Sequence, residues 1–97
     1  MTSAGASRRR AARRAVIVGR VQGVWFRDSV RRVAESLGVA GWARNCLDGT
    51  VEVWAEGRQE GVEALLEYCH TGPPRAHVER VTVHEVAPAG LGDFRVR

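Results

Sequence analysis

The chain has 97 residues, 44% of them hydrophobic, which is enough for one domain with a modest core. No apolar run approaches the roughly 18 residues that a membrane-spanning helix requires. All fifteen basic residues are arginines, and five of them lie in residues 1–14 with no acidic residue beside them. Residues 15–97 carry ten arginines and eleven acidic residues, a net charge of −1. We therefore interpret residues 1–14 as a disordered arginine-rich tail and residues 15–97 as a nearly neutral folded domain, without the basic patch expected of a nucleic-acid module.

The two cysteines, Cys46 and Cys69, have neither the CxxC spacing nor the number expected of a disulfide framework. Cys69 lies on the apolar face of a predicted helix, where a small buried thiol is common. We expect both thiols to be reduced and non-catalytic. The start of the sequence shows no hydrophobic region of a secretory signal, so we expect a cytoplasmic protein.

The first predicted strand covers residues 15–21, which are rich in β-branched side chains. A short loop containing Gly23 follows, and residues 25–37 then repeat apolar side chains at helical spacing. Gly38 is a natural stop for this helix. The apolar positions of the helix are Phe26, Val30, Val33, Ala34 and Leu37.

Two further strands are predicted over residues 39–45 and 50–56, joined by a turn at Asp48-Gly49. The second of them alternates in character, so that Val51, Val53 and Ala55 face one side of the sheet.

A second helix is predicted over residues 59–70, followed by strands over residues 78–86 and 94–96. The buried face of this helix is predicted to contain Val62, Leu65, Leu66 and Cys69. Gly72-Pro73-Pro74 ends the helix and turns the chain.

The element order is βαββαβ with a short final strand, which predicts an α+β, ferredoxin-like split βαβ fold. We expect a mostly antiparallel sheet with strand order 4-1-3-2, and right-handed crossovers place both helices on one face. Strands one and two are parallel in this topology. Asn45, at the end of the second strand, is therefore predicted to lie near the loop that follows the first.

Residues 19–27 read Gly-Arg-Val-Gln-Gly-Val-Trp-Phe-Arg and carry the strongest functional signal. The main-chain N–H groups at a helix start have no intrahelical acceptors and can bind a phosphate, which Arg27 could grip with two hydrogen bonds. Arginine is disfavoured in a first helical turn unless an anion is bound there. Alternatively, Gly19 and Gly23 serve only as turn residues, Arg27 is a surface ion-pair partner, and Asn45 is a strand-end turn residue.

Together with Gly-Trp-Ala-Arg-Asn at residues 41–45 and Asp-Gly-Thr-Val-Glu at residues 48–52, this motif resembles the acylphosphatase family over about residues 15–97. The resemblance implies metal-free and cofactor-free hydrolysis of a carboxyl–phosphate bond with no phosphoenzyme. It implies that Arg27 binds phosphate and that Asn45 orients the attacking water. The implied phosphate loop consists of the main-chain amides of Gln22, Gly23, Val24, Trp25, Phe26 and Arg27. Cys46 departs from the family, in which a hydroxyl-bearing residue is frequent after the asparagine.

The expected partners are a small acyl phosphate and inorganic phosphate, with no metal, membrane or nucleic acid, and we expect a monomer. His70, His77 and His84 are evenly spaced, but their predicted elements do not bring them together as a metal site. One alternative is an RNA-binding ferredoxin-like module that uses the basic tail, although the sheet motif typical of that mode is missing. Another is a regulatory or maturation module of a larger enzyme, which the short chain does not favour.

Overall fold

The computed structural model describes residues 9–97; residues 1–8, part of the predicted tail, lie outside the described residues. The described chain forms five strands and two helices in the predicted order. They are β1 (Arg10–Arg20), α1 (Phe26–Leu37), β2 (Ala40–Asn45), β3 (Val51–Arg58), α2 (Gln59–Cys69), β4 (His77–Glu85) and β5 (Phe94–Val96). Apart from the start of β1, every element begins and ends within two residues of its predicted bounds. Neither helix in this part of the chain is long and apolar enough to cross a membrane.

The strands form one sheet in the order β4-β1-β3-β2-β5, which confirms the predicted order 4-1-3-2. The pairs of β1 with β3 and β4, and of β2 with β3, are antiparallel, whereas β5 adds to β2 in parallel. α1 packs against β2 and β5, α2 packs against β1 and β3, and the two helices contact each other. Both helices therefore cover one face of the sheet, as predicted.

The core lies between the helices and this face. In β3, Val51, Val53 and Ala55 are fully buried in the core, as the predicted alternation requires, while Glu52 and Glu56 at the alternate positions are nearly buried without belonging to the core cluster. All four predicted apolar positions of α2 are buried as well. In α1, Phe26, Val30 and Ala34 are buried, Val33 is partly buried, and Leu37 is exposed because the helix ends there.

β1 begins at Arg10, so the prediction that residues 1–14 form a disordered tail is wrong for residues 10–14. Ala11 and Ala12 are buried where this extension pairs with the end of β3. Alanine has low strand propensity, and a cluster of arginines is typical of a solvated segment. Burial of the two methyl groups and the added ladder hydrogen bonds offset both effects, because a long partner strand is available.

The extension also changes the charge of the folded domain. Residues 10–97 carry thirteen arginines and eleven acidic residues, a net charge of +2 in place of the predicted −1. Two of the additional arginines pair with acidic residues: Arg14 with Glu52 at 2.7 Å, and Arg13 with Glu85 at 3.6 Å.

Gly19 lies at an irregularity in the pairing of β1 with β4, where the register shifts after Val18. Its φ is +140°, and a Cβ there would overlap the main-chain oxygen of His77. A strand glycine at a bulge commonly marks such a close approach of two backbones. Gly19 therefore has a structural role, and the functional part of the motif begins after it.

Candidate active site

The sheet register brings Asn45 to the helix-covered face, near the end of β1. Val51 on β3 is the partner of both Ile17 on β1 and Asn45 on β2. Residues opposite each other in antiparallel strands point to the same face, so Asn45 shares the face of buried Val51. β1 and β2 are both antiparallel to β3, and their carboxyl ends therefore meet at one edge. The helix α1 begins above this edge, after the loop that follows β1.

That loop carries a row of unused main-chain donors. Within residues 9–97, no main-chain N–H of residues 22–27 donates to a protein acceptor. Trp25 is the N-cap of α1, and its carbonyl oxygen accepts the first helical hydrogen bond, from Ser29 N at 3.0 Å. No side chain caps this helix start, so its partial positive charge and its N–H groups are available to an anion.

A cavity of about 480 Å³ opens where the loop, the start of α1 and the end of β2 meet. Its lining residues are Val21, Gly23, Trp25, Phe26, Arg27, Asp28, Arg31, Asn45 and Val96. The structure thus brings together Arg27 and Asn45, eighteen positions apart in the sequence. Gln22 and Val24 do not line this cavity; they line a neighbouring one together with Arg20 and Arg75.

Arg27 is half-buried in the first turn of α1, and its guanidinium is held from one side. Its Nη1 donates to the main-chain oxygen of Arg97 at 2.7 Å. No acidic side chain among residues 9–97 lies within ion-pair distance of it. Among residues 9–97, Arg27 is therefore bonded to a main-chain oxygen but to no acidic side chain.

Asp28, the adjacent carboxylate, is directed to other partners. It pairs with Arg31 at 2.7 Å and with Arg32 at 3.1 Å along α1. Arg31 also lines the cavity, and its Nε is buried with no hydrogen-bond partner in the described chain. The side chains that line the cavity therefore carry a net positive charge, with Arg27 and Arg31 against Asp28.

The Gln22 side chain ties the loop to the β2–β3 turn. Its Nε2 donates to the main-chain oxygens of Cys46, at 2.8 Å, and Thr50, at 2.9 Å. These two residues close the turn directly after Asn45, where Cys46 N also donates to Thr50 O. One amide group therefore links the segment with the unused donors to the segment that carries Asn45.

The sequence matches the acylphosphatase family over residues 13–96. A curated acylphosphatase from Rubrobacter xylanophilus is 53% identical over 85 residues, which cover 87% of this chain and 77% of that protein. One from Thermococcus kodakarensis is 56% identical over 80 residues, which cover 82% and 88% of the two chains. The chain belongs to the acylphosphatase family.

A solved structure supports the same assignment. An acylphosphatase from Coxiella burnetii superposes with a TM-score of 0.87 at 40% identity, covering 91% of this chain and 93% of that one. Membership in the acylphosphatase family and the ferredoxin-like fold, both expected from the sequence, are confirmed.

Three features of this acylphosphatase-family site were not predicted from the sequence: the tie made by the Gln22 side chain, the second guanidinium of Arg31, and the contact of Arg27 with Arg97. The Arg31 position at helical spacing from Arg27 could have been noticed. The other two depend on residues 24 or more positions away and leave no local signal. Cys46 is partly exposed, and it takes part in the Gln22 contact through its main chain.

Proposed function

We propose that the chain hydrolyses acyl phosphates to a carboxylate and inorganic phosphate. In this proposal the main-chain N–H groups of residues 22–27 and the Arg27 guanidinium bind the phosphoryl group, and Asn45 orients the attacking water. The observation that carries it is the shared cavity, in which Arg27 and Asn45 lie beside a loop whose N–H groups have no protein acceptor.

The Arg27 side chain suits a phosphoryl group in transfer. Charge spreads over the equatorial oxygens in the transition state, so catalysis depends on positioning and electrostatic stabilisation. Arginine stays charged at any working pH, and its planar fork can bind two of these oxygens at once. The hydrogen bond to Arg97 O restricts the guanidinium before substrate arrives, which lowers the entropy lost on binding.

Asn45 has the chemistry of a positioning group. Its neutral carboxamide offers one acceptor and two donors, so it can hold a water without removing its proton. A water fixed in line with the leaving oxygen is already close to its reactive geometry, and a displacement of about 1 Å can cost about 10²-fold in rate.

The reaction balances without an external acid or base. The water oxygen bonds to phosphorus, and the bond between phosphorus and the acyl oxygen breaks, with both electrons leaving on the carboxylate. The water proton passes to a phosphoryl oxygen, which gives dihydrogen phosphate. A carboxylate is a good leaving group and needs no strong acid, which agrees with a cavity lined by neither histidine nor a carboxylate pair. Because the step needs no metal, we propose that the activity is unchanged by EDTA. We also propose that the enzyme is cytoplasmic and monomeric.

The test is turnover of benzoyl phosphate by the Arg27→Ala and Asn45→Ala variants. We expect kcat/KM to fall by about 10³-fold or more for Arg27→Ala and by about 10²-fold or more for Asn45→Ala. Inorganic phosphate should inhibit the wild type competitively. Arg80→Ala, an exposed arginine on β4, is the matched control and should keep wild-type rates. Wild-type rates in either site variant, with circular dichroism showing an intact fold in all, would remove the assigned role.

A further inference from the structure

Trp25 is the least expected residue of the loop. Its φ is +66°, the left-handed region that bulky residues rarely adopt, and no other non-glycine residue among the described ones has a positive φ. Its side chain is 75% exposed. Helix N-caps favour small polar residues, so neither local conformation nor capping explains a tryptophan here. Strained residues that cluster at binding sites suggest a functional cause.

Trp25 lies between the candidate active site and a further cavity, distinct from the one lined by Gln22 and Val24. A groove of about 580 Å³ runs along the other side of α1, and it shares Trp25 and Asp28 with the first cavity. Its remaining lining residues are Ser29, Arg32, Val33, Tyr68, Pro73 and Pro74. The hydroxyl groups of Ser29 and Tyr68 are hydrogen-bonded to each other. The lining of the groove is therefore mainly aromatic and aliphatic, and the groove adjoins the proposed phosphate site at Trp25 and Asp28.

The groove lies on the side of α1 away from the proposed water. Arg27 and Arg31 line the first cavity together with Asn45, whereas the groove is lined by Ser29, Arg32 and Val33. At helical spacing these two sets of residues lie on different sides of α1. In-line displacement places the leaving oxygen opposite the attacking water. If Asn45 holds the water, the acyl group therefore extends toward Trp25 and the groove.

The charged residues along the groove do not favour a substrate with a charged acyl group. The two charged residues that line it, Asp28 and Arg32, have opposite signs and form an ion pair 3.1 Å apart, so the lining of the groove has no net charge. An apolar acyl group would instead bury surface against Trp25 and the proline pair, and an aromatic ring would also stack on the indole.

We propose that Trp25 and this groove form the subsite for the acyl group, and that the preferred substrates carry a bulky apolar, above all aromatic, acyl chain. This inference rests on the proposed hydrolysis of acyl phosphates. Trp25 then acts in two ways: its main chain belongs to the phosphate loop, and its side chain selects the substrate.

The experiment compares benzoyl phosphate with acetyl phosphate, which lacks the ring. We would measure kcat/KM for both substrates with the wild type, Trp25→Phe, Trp25→Asn and Trp25→Gly. Glycine and asparagine accept the left-handed conformation, so they remove the ring without adding strain. The ratio of benzoyl to acetyl kcat/KM should fall about tenfold or more in both. Trp25→Phe should retain most of the wild-type ratio. In Trp25→Gly and Trp25→Asn, the inhibition constant of inorganic phosphate should change by a smaller factor than the ratio of benzoyl to acetyl kcat/KM.

The outcomes separate the two proposals. Equal losses on both substrates in Trp25→Gly and Trp25→Asn would show that Trp25 only shapes the phosphate loop, and would overturn the acyl subsite while leaving the hydrolysis intact. If both variants keep the wild-type kcat/KM for both substrates, the acyl subsite is likewise overturned and the proposed hydrolysis is unaffected. A wild-type protein that hydrolyses neither substrate would overturn the proposed function, and the subsite with it.

Discussion

The two cysteines illustrate how burial decides the chemistry of a single residue. Cys69 is fully buried in α2, and desolvation raises the pKa of its thiol to about 12. Since the thiolate is the reactive form, Cys69 is inert in the folded protein. Cys46 is partly exposed on the β2–β3 turn. The interpretation of Cys69 as a structural thiol agrees with its position.

We expect a thiol-specific disulfide reagent at pH 8 to modify one cysteine in the native protein and two after unfolding in urea. The Cys46→Ala variant should show no fast-reacting thiol in the native state and one after unfolding. Absorbance of the released chromophore measures both stages. Rapid modification of two thiols in the native wild type would contradict the burial of Cys69.

At the scale of elements, hydrogen bonds to Glu56 attach the segment between β4 and β5 to the sheet. The carboxylate of Glu56 accepts the main-chain N–H groups of Ala89, Gly90 and Leu91 at 2.8–2.9 Å, and also Trp54 Nε1 at 2.8 Å. Three successive amides of a segment without regular structure are thereby satisfied. This segment leads into β5, whose last residue lines the candidate active site.

The pairing of β1 with β4 depends on Gly19. We expect Gly19→Ala to lower the free energy of unfolding by about 3 kcal/mol, because the new methyl group would overlap the His77 carbonyl oxygen in the ladder. Gly92→Ala is the control, since no atom lies within 4 Å of a Cβ built there and its φ is not in the left-handed region. Urea denaturation followed by circular dichroism gives both values. Equal stability of the two variants would contradict the tight approach of β1 to β4.

At the scale of the whole molecule, two nearly buried carboxylates on the sheet face opposite the helices couple stability to pH. Burial raises the pKa of Glu52, but the hydrogen bonds and charges of Arg14 and Arg44 outweigh it, so the pKa lies below its ordinary value. Burial likewise raises the pKa of Glu56, and four hydrogen bonds from N–H groups outweigh it. Each carboxylate is therefore more acidic in the folded chain than in the unfolded one.

The sign of the pH effect follows from proton binding. The unfolded state binds more protons than the folded state in the acid range, so the free energy of unfolding decreases as pH falls. Full stabilisation should be present above the unfolded pKa of about 4.5 and be lost progressively below it. Glu56→Gln should reduce stability at pH 7 by about 1–3 kcal/mol and weaken the acid dependence. Urea unfolding between pH 7 and pH 3 tests this, and an equally steep acid loss in Glu56→Gln would contradict it.

The order of elements, the strand order 4-1-3-2 and the side of the sheet that each helix covers were all predictable from the sequence. These depend on local periodicity, on turn residues such as Asp48 and Gly49, and on the handedness of crossovers. The approach of Asn45 to the loop of Arg27 was also predictable, because parallel strands in this topology bring their carboxyl ends to one edge.

The sequence by itself therefore determined the fold, the family and the two residues that share the cavity. Only the tertiary structure decided that β1 begins at Arg10, because residues 10–14 are held by their pairing with β3. Arg14 also pairs with Glu52, which is 38 positions away in the sequence. It alone showed the Gln22 tie and the left-handed backbone of Trp25 beside an apolar groove. Such features arise from contacts between segments that are distant in the chain. Contacts of this kind produce no periodic pattern in the local sequence from which they could be predicted.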